Sequence, residues 1–508
     1  MTRLCVFISV SLLALQLCNC ASVDTRPLNN QRMVAELPAE KFRYELPITE
    51  NQPQKPMFPQ VIKNTLSNGL SVFVVEDKSL PIAQLSMVFK NGSSRDPLGK
   101  SGLVNLSAQM LKEGTEKMSS LELAEAFANI GTEVSVNASK DYSSLSAAVL
   151  SDKANETMSL LASMVGKPRF EKSDFARLKL QQQSTVSTDN ADPNYLAQIK
   201  FLRSAYGDKH PYAYPSGGTL ESIPKIELKD VKKTYQSYFG PNNAALIVVG
   251  DVSVAEVMES AQKYFGSWPK IKVPSLAVNA PLPRKKMHTL LVEVDNMPQT
   301  YLLVGQPAAL RTDKDLASYE VFLNILARDP TSRLNEKLRE QKGWTYGVKG
   351  MVNPLRGLGP LWISTSVQVP YGGEALQEIL SELLQLQNTP VSDAELKSAK
   401  EGILHSFASR YSTVGKVASQ AADLFIYDLP LNNDQVFYDK LAKVSKEDIM
   451  AVAKKALKKD QMVAVAVGDL EAIETPLKAM DVGVVKVERG KTIARSKAAD
   501  DTTKKAGS

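Results

Sequence analysis

Cysteine and histidine are scarce in this chain of 508 residues, which contains three of each. The cysteines all lie within the first twenty residues, at Cys5, Cys18 and Cys20. A mature chain that begins at the last of them would hold one thiol, which excludes an internal disulfide. The histidines are far apart, at His210, His288 and His405, and none has a second ligand residue three or four positions later. The sequence therefore offers no local histidine-based metal motif, and no cofactor is expected in this chain.

The chain also lacks a strong charge excess and a long apolar run. Its 61 Lys and Arg residues against 55 Asp and Glu residues give a net charge of +6, and its basic clusters are short. Because aromatic residues do not alternate with these clusters, nucleic acid is not an expected partner. The longest apolar run, Leu4 to Cys18, is shorter than the roughly 20 residues that a membrane-spanning helix needs. A length of 508 residues predicts about two to four globular domains.

The first twenty residues contain the features of an export signal. Arg3 supplies a small charged region before the apolar run, and Leu17-Cys18-Asn19-Cys20 resembles a bacterial lipobox. Asn19 departs from that pattern, which usually has a small residue there. We expect a lipid on Cys20 and an exported, periplasmic protein anchored to a membrane. Cleavage after Ala21, which would give soluble export, is the alternative.

From residue 60 onward the pattern predicts strands followed by helices. The segments Val61 to Leu66 and Leu70 to Val75 flank Asn68-Gly69, which predicts a tight hairpin, and a third strand is expected at Ala83 to Phe89. Apolar residues at helical spacing predict a helix over 101–113, and a capping box at Ser119 predicts a second helix that ends near residue 131. These features indicate an α+β fold in which helices pack against a mostly antiparallel sheet.

The second half of the chain repeats the first. Residues 245–251 (ALIVVGD) match residues 463–469 (VAVAVGD), which lie 218 positions later, and residues 228–231 match 446–449 at the same offset. We therefore predict two homologous, separately cored domains, 60–270 and 288–487, that form one half of a clamshell. The expected flanking segments are a signal peptide (1–20), a polar tether (21–59), a proline-containing linker (271–287) and a disordered tail (488–508).

Four segments, in order along residues 60 to 485, resemble the pitrilysin and mitochondrial-processing-peptidase family of zinc proteases. They are the hairpin at 66–75, the segment YGDKHPY at 206–212, the strand end Gly250-Asp251, and LREQKGWTY at 338–346. Active members of that family carry His-x-x-Glu-His on the first long helix, which supplies two zinc ligands and a general base, and a distant glutamate as third ligand.

The resemblance places Asn105, Ala108 and Gln109 at the positions of the two histidines and the glutamate base. Amides are poor zinc ligands, and an alanine methyl cannot take a proton from water. The region of the third ligand, 178–187, holds three glutamines (181–183), and no glutamate stands between Glu171 and Glu221. These positions are therefore interpreted as a degenerate metal site, and His210 is interpreted as structural.

One functional motif of the family is kept. Arg339 and Tyr346 stand seven positions apart, the spacing at which active relatives hold a peptide carbonyl and stabilise its developing oxyanion. A surface arginine and a core tyrosine that share this spacing by chance are the alternative. The glycine-rich loop expected before the motif is replaced by Ala327-Arg328-Asp329-Pro330, which departs from the family pattern and puts loop-based substrate contacts in doubt.

The resemblance implies a non-catalytic subunit that binds unfolded peptide and pairs with a catalytic homologue carrying His-x-x-Glu-His. In that arrangement the partner supplies the zinc and the base, and this chain supplies Arg339, Tyr346 and half of the chamber. Two alternatives stay open: a stand-alone peptidase with an unrecognised site, and a structural scaffold that binds no peptide.

Overall fold

The folded part of the chain opens with the hairpin that the Asn68-Gly69 turn predicts. The computed structural model describes residues 55–469, 474–475, 477–478 and 482–489. Gly69 has φ +89°, a left-handed conformation that suits glycine. The Asn68 side chain fixes the turn by donating hydrogen bonds to the carbonyl oxygens of Phe265 and Trp268, at 2.7 and 3.0 Å. The signal peptide, Cys20 and nearly all of the predicted tether lie outside the described residues.

The N-terminal sheet has six strands in the order β1-β2-β6-β3-β5-β4. The strands are β1 (Ile62–Thr65), β2 (Ser71–Glu76), β3 (Ile82–Phe89), β4 (Ser135–Ala138), β5 (Ser143–Leu150) and β6 (Ala244–Gly250). The strand β6 returns from far along the chain and lies between β2 and β3, parallel to the first and antiparallel to the second. The third strand therefore pairs with β5 and β6 and not with the hairpin.

The C-terminal sheet also has six strands, in the order β12-β7-β11-β8-β10-β9. They are β7 (His288–Glu293), β8 (Gln299–Ala309), β9 (Thr345–Val352), β10 (Gly359–Gln368), β11 (Val463–Gly468) and β12 (Val484–Glu488). The repeated segment forms β11, which lies between β7 and β8 as β6 lies between β2 and β3. The two sheets differ at one edge, because β1 precedes its neighbour and is antiparallel to it, whereas β12 comes last and is parallel.

Helices cover one face of each sheet, which confirms the predicted α+β class. The helices are α1 (Leu103–Met110), α2 (Ser120–Asn129), α3 (Ala154–Gly166), α4 (Lys172–Asp189), α5 (Pro193–Tyr206), α6 (Leu228–Tyr238), α7 (Val254–Phe265), α8 (Leu316–Leu323), α9 (Arg333–Asn335), α10 (Gly372–Asn388), α11 (Asp393–Ser406), α12 (Val414–Ile426), α13 (Asn433–Lys443) and α14 (Lys446–Ala456). The capping box predicted from Ser119 and Glu122 is present at α2. The helix α1 is shorter than the predicted 101–113, because Gly102, with φ +93°, precedes its first turn. Among the described residues no helix is both long and apolar enough to cross a lipid bilayer.

The second face of each sheet is covered by a helix from the other half. Phe201 of α5 packs on the C-terminal sheet, where its ring meets Trp362 of β10 with the centroids 5.6 Å apart. Phe425 of α12 packs on the N-terminal sheet against Phe73 of β2, at 6.2 Å. Each half has a core of its own as well. The expectation of separately cored domains is therefore wrong in part, because two of the four hydrophobic clusters contain residues of both halves.

The end of the predicted tether is also part of the folded body. Phe58 packs edge-on against three aromatic rings of the C-terminal half, those of Phe407, Tyr411 and Tyr438, with centroid distances of 6.0 to 6.2 Å. The segment 271–284 has no helix or strand and connects the two halves. At the other end of the chain β12 includes Glu488, and the rest of the predicted tail from residue 490 lies outside the described residues.

Candidate functional site

The degenerate metal positions lie on α1, as the sequence predicts. Asn105 and Gln109 are one helical turn apart and half-buried, so their amides share a face of the helix. Ala108 is fully buried, and its methyl group is part of the N-terminal hydrophobic core. A side chain at this position faces packed apolar atoms, so position 108 does not offer a water-accessible base.

The helix α4 brings Gln182 to this face of α1. The Asn105 amide donates a hydrogen bond from Nδ2 to Oε1 of Gln182 at 3.1 Å. The Gln182 amide in turn donates to the carbonyl oxygens of Gly102 and Gly217, at 3.1 and 2.8 Å. Of the three glutamines in the predicted third-ligand region, Gln182 is the one that faces Asn105. The Gln182 amide is therefore fixed by hydrogen bonds to Asn105, Gly102 and Gly217.

Asp96 fixes the start of α1, a role that the sequence analysis missed. Its two carboxylate oxygens accept hydrogen bonds from the backbone N–H groups of Gly102 and Val104, at 2.7 and 2.8 Å. Burial raises the pKa of Asp96 to about 7, although these two hydrogen bonds and the nearby Lys140 favour the charged form. Burial likewise lowers the pKa of Lys140 to about 8. The signal in the sequence was an acidic residue six positions before Gly102, the glycine that precedes the helix.

The amide cluster does not fit a zinc ion. Zinc sites in proteins use thiolate, imidazole or carboxylate ligands, and Asn105, Gln109 and Gln182 supply only neutral amides. Two of these amides are already bonded to each other. Across the described ranges, no group of three or more His, Cys, Asp or Glu side chains could hold a metal ion.

Arg339 lies on a wide helical turn in the C-terminal half. The segment Glu336–Gln341 is a π-helix, in which the N–H of Lys342 bonds to the carbonyl of Lys337 at 3.1 Å. Two residues after this segment, Gly343 has a φ of +64°, which reverses the chain toward β9. The Arg339 guanidinium pairs with its neighbour Glu340, with Nε and Oε1 2.7 Å apart, and its side chain is 39% exposed. This exposed pair contributes little stability and leaves the guanidinium free to exchange partners.

Tyr346 lies on a β-bulge at the start of β9. Thr345 pairs with Val367 of β10 and Val348 pairs with Thr365, so Tyr346 and Gly347 together oppose a single residue. The bulge is held by the Thr345 hydroxyl, which accepts the N–H of Gly347 at 3.0 Å. A bulge re-aims the side chain that it carries. Tyr346 is 92% exposed and has no hydrogen-bond partner among the described residues, so it is not a core tyrosine.

A second π-helix replaces the glycine-rich loop. The segment Asn324–Arg328 is π-helical, and Arg328 donates from Nε to the carbonyl of Gly350 in β9 at 3.2 Å. It also pairs with Glu320 of α8. The buried Asn335 joins the same elements, because its Oδ1 accepts the N–H of Val348 at 2.8 Å. Hydrogen bonds of Arg328 and Asn335 therefore hold β9, the strand that carries Tyr346, against the segment that replaces the family's glycine-rich loop.

His210 belongs to a hydrogen-bonded cluster that joins the two halves. Its Nδ1 accepts the N–H of Tyr212 at 3.0 Å, so its Nε2 carries the proton and donates to the carbonyl of Asn279 at 2.9 Å. Burial lowers the pKa of His210, which favours this neutral form. The buried Tyr212 hydroxyl donates to Asp141 at 2.7 Å and accepts the N–H of Gly357 from the C-terminal half at 3.0 Å. Both ring nitrogens of His210 therefore make hydrogen bonds within the fold, which supports its interpretation as a structural residue.

A cavity of about 710 Å³ is lined mostly by the C-terminal half, together with Ser139 and Tyr142 of the N-terminal half, and contains none of the predicted site residues. Its lining includes residues of α8, α11, α12 and α13, and its three arginines are each paired with an acid: Arg311 with Asp423, Arg328 with Glu320 and Arg410 with Asp434. The predicted residues themselves form two groups, on different halves. Within the described residues no hydrogen bond or ion pair joins the amides of α1 to Arg339 or Tyr346.

The described residues form a duplicated α+β body of two six-stranded sheets. One half carries the arginine and tyrosine motif, and the other carries the helix with the predicted metal positions. This combination defines a class of peptidase-like proteins. Residues 71–217 match the family described as Insulinase (Peptidase family M16), and residues 225–403 match the one described as Peptidase M16 inactive domain. The chain belongs to the M16 peptidase family.

Similar proteins extend over most of the chain. A protein from Helicobacter pylori named non-peptidase homolog YmxG is 24% identical over 74% of this chain and 87% of its own length. A Bacillus subtilis protein named uncharacterized zinc protease YmxG is 23% identical over 79% of this chain and 96% of its own. The crystal structure of a peptidase M16 inactive domain from Pseudomonas fluorescens superposes with a TM-score of 0.75, at 27% identity, over 81% of this chain and 98% of that one.

Proposed function

We propose that this chain is the non-catalytic subunit of a zinc metallopeptidase pair, which binds unfolded peptide and completes the chamber of a catalytic homologue. One contrast carries the proposal. At the predicted metal positions the Asn105 amide bonds to that of Gln182, whereas Tyr346, which shares the family motif with Arg339, is 92% exposed. The chain has kept the side chains that hold a peptide and has lost those that cut it.

The surroundings of Tyr346 suit an extended peptide. The strand β9 is an edge of its sheet, where Asn335 and Arg328 already bond to the backbone of Val348 and Gly350, so a peptide is expected to contact the exposed Tyr346 side chain rather than to add a strand. Arg339 offers a planar set of donors and Tyr346 a hydroxyl, and both can bond to a peptide carbonyl. Lys349, on the same exposed side of β9, has no ion-pair partner among the described residues.

The names of similar proteins support a non-catalytic role. The Helicobacter pylori protein is named a non-peptidase homolog, and the Pseudomonas fluorescens structure is named an inactive domain. Other similar proteins are named zinc proteases, as the Bacillus subtilis one is. A family that contains both kinds can supply a catalytic partner to a chain that lacks the metal ligands.

The pairing is tested by mixing purified proteins. The partner to use is the homologue with His-x-x-Glu-His whose gene lies nearest to this one, and the assay is hydrolysis of an unfolded fluorogenic peptide. We expect co-elution of the two chains and cleavage by the mixture that exceeds the sum of the separate chains. Chelator-sensitive cleavage by this chain alone would instead establish a stand-alone peptidase.

The proposed location is a periplasmic membrane surface, to which the lipid on Cys20 anchors the folded body. The support is the leader sequence, which contains every cysteine of the chain and is followed by a polar stretch. Metabolic labelling with palmitate compares the natural protein with Cys20→Ser. Label on the natural protein alone supports the anchor, and absence of label on both indicates soluble export.

A further inference from the structure

The wide turn that carries Arg339 brings together two lysines that a regular helix would separate. Lys337 and Lys342 are five positions apart, and in an α-helix of 3.6 residues per turn they would point about 140° away from each other. Here the N–H of Lys342 bonds to the carbonyl of Lys337 at 3.1 Å, which closes a π-turn. Arg339 lies within that turn.

Both lysines bond to one carboxylate on α10. Lys342 Nζ lies 2.6 Å from Oε1 of Glu378, and Lys337 Nζ lies 3.5 Å from Oε2 of the same side chain. The hydrogen bond from Lys342 lowers the pKa of Glu378, so the carboxylate stays charged at pH values below its usual titration range. In a regular α-helix the two ammonium groups would point apart and could not both bond to Glu378. The π-turn and the two bonds to Glu378 therefore depend on each other.

Neighbouring contacts hold the same turn against α10. Lys337 also bonds to the buried Glu382 at 2.5 Å. The Trp344 ring stacks on Tyr371, with centroids 4.8 Å apart and planes 9° from parallel, and the Lys342 ammonium lies 4.3 Å from the Trp344 centroid. The segment between Arg339 and Tyr346 is therefore held by the bonds of its lysines to acids of α10 and by the stacking of Trp344 on Tyr371.

We propose that Glu378 is a positioning residue, whose carboxylate locks the π-turn and so sets the direction in which Arg339 projects beside Tyr346. The inference rests on the proposed function, in which Arg339 holds a peptide. Glu378 is the acid to test, because its side chain is 24% exposed, whereas that of Glu382 is 2% exposed. Removing Glu382, which is buried and pairs with both Lys337 and Arg333, would endanger the fold.

The lock itself is tested on this chain alone by amide hydrogen exchange. Glu378→Ala should speed exchange at Lys342 and Gly343, whose N–H groups close the turn, by about tenfold or more, while α10 keeps its protection. The matched control is Glu374→Ala, one turn earlier on the same helix, since Glu374 is exposed and has no ion-pair partner among the described residues. Unchanged exchange in Glu378→Ala overturns the lock.

The effect on Arg339 is tested by a double-mutant cycle in the reconstituted pair. Glu378→Ala should lower kcat by about 10- to 100-fold through misplacement of Arg339, with Glu378→Gln intermediate. In an Arg339→Ala background the same change should have no further effect, since a positioning residue acts only through the residue that it positions. Equal losses in both backgrounds overturn the positioning role. If Arg339→Ala itself is silent, the proposed function is wrong, while hydrogen exchange still decides the lock.

Discussion

Asn105, which stands where the resemblance places a zinc ligand, and Gln182, which lies in the predicted third-ligand region, are joined by a hydrogen bond of 3.1 Å. The bond links α1 to α4 across the face that a metal would occupy. Gln182 is tied further to two backbone carbonyls. The residues at the predicted metal positions thus take part in a structural contact between two helices, on which the first two predictions below depend.

Purified mature protein should contain no stoichiometric zinc, because the cluster supplies only amide groups. Elemental analysis after gel filtration measures the zinc content per chain. The matched comparison is the catalytic partner, which should hold about one zinc. A similar content in this chain, abolished by Asn105→Ala or Gln109→Ala, would contradict the degenerate site.

Gln182→Ala should destabilise the fold by about 1 to 3 kcal/mol, since the carbonyls of Gly102 and Gly217 would lose their donor in a largely buried place. The control is Gln181→Ala, whose exposed side chain makes no such bonds. Urea unfolding of the two variants gives the comparison. Equal urea midpoints for the two variants would show that the amide cluster does not stabilise the fold.

Phe58→Ala should lower the free energy of unfolding by about 2 kcal/mol, because three aromatic rings lose an edge-on partner. Met57→Ala is the control, since Met57 is 95% exposed. The measurement is thermal unfolding of both variants in parallel with the natural protein. If Met57→Ala and Phe58→Ala are alike, the predicted tether does extend to residue 59.

Asp96 should make stability depend on pH in an unusual direction. Its pKa is about 7 in the folded chain and near its ordinary value of 3.8 in the unfolded chain. Between these values the folded state holds a proton that the unfolded state has lost, so the free energy of unfolding falls as pH rises toward 7. Asp96→Asn cannot ionise and should show a smaller fall. Urea unfolding of the natural protein and of Asp96→Asn, repeated across this pH window, gives the free energy of unfolding of each as a function of pH. Equal slopes would contradict the assignment.

The sequence was sufficient to predict the local elements and the repeat. Asn68-Gly69 and Ser119 act through neighbours in the chain, and the repeated strand keeps its place between the same two partners in each half. The exchange of α5 and α12 could not be predicted in this way. An apolar helix face shows that a helix is covered, but which sheet covers it depends on contacts more than a hundred residues away.

The candidate site was predicted in its residues and not in its geometry. Asn105, Ala108, Gln109, Arg339 and Tyr346 were named from the motif, but three equivalent glutamines left Gln182 unresolved. The π-turn around Arg339 had no local signal, because it depends on Glu378 of a separate helix. The bulge at Tyr346 depends likewise on hydroxyl bonds between two strands.

In the proposed pair, this chain holds the peptide on which the partner's metal acts. The most direct measurement is kcat of the reconstituted pair with Arg339→Ala, Arg339→Lys and Tyr346→Phe, with co-elution checked for each. Losing a donor to a developing oxyanion typically lowers kcat by about 10² to 10³, and lysine cannot replace the planar fork of arginine. We expect such losses in all three variants while the complex still forms. Cleavage at the natural rate within intact complexes would contradict this proposal and leave this chain as a scaffold.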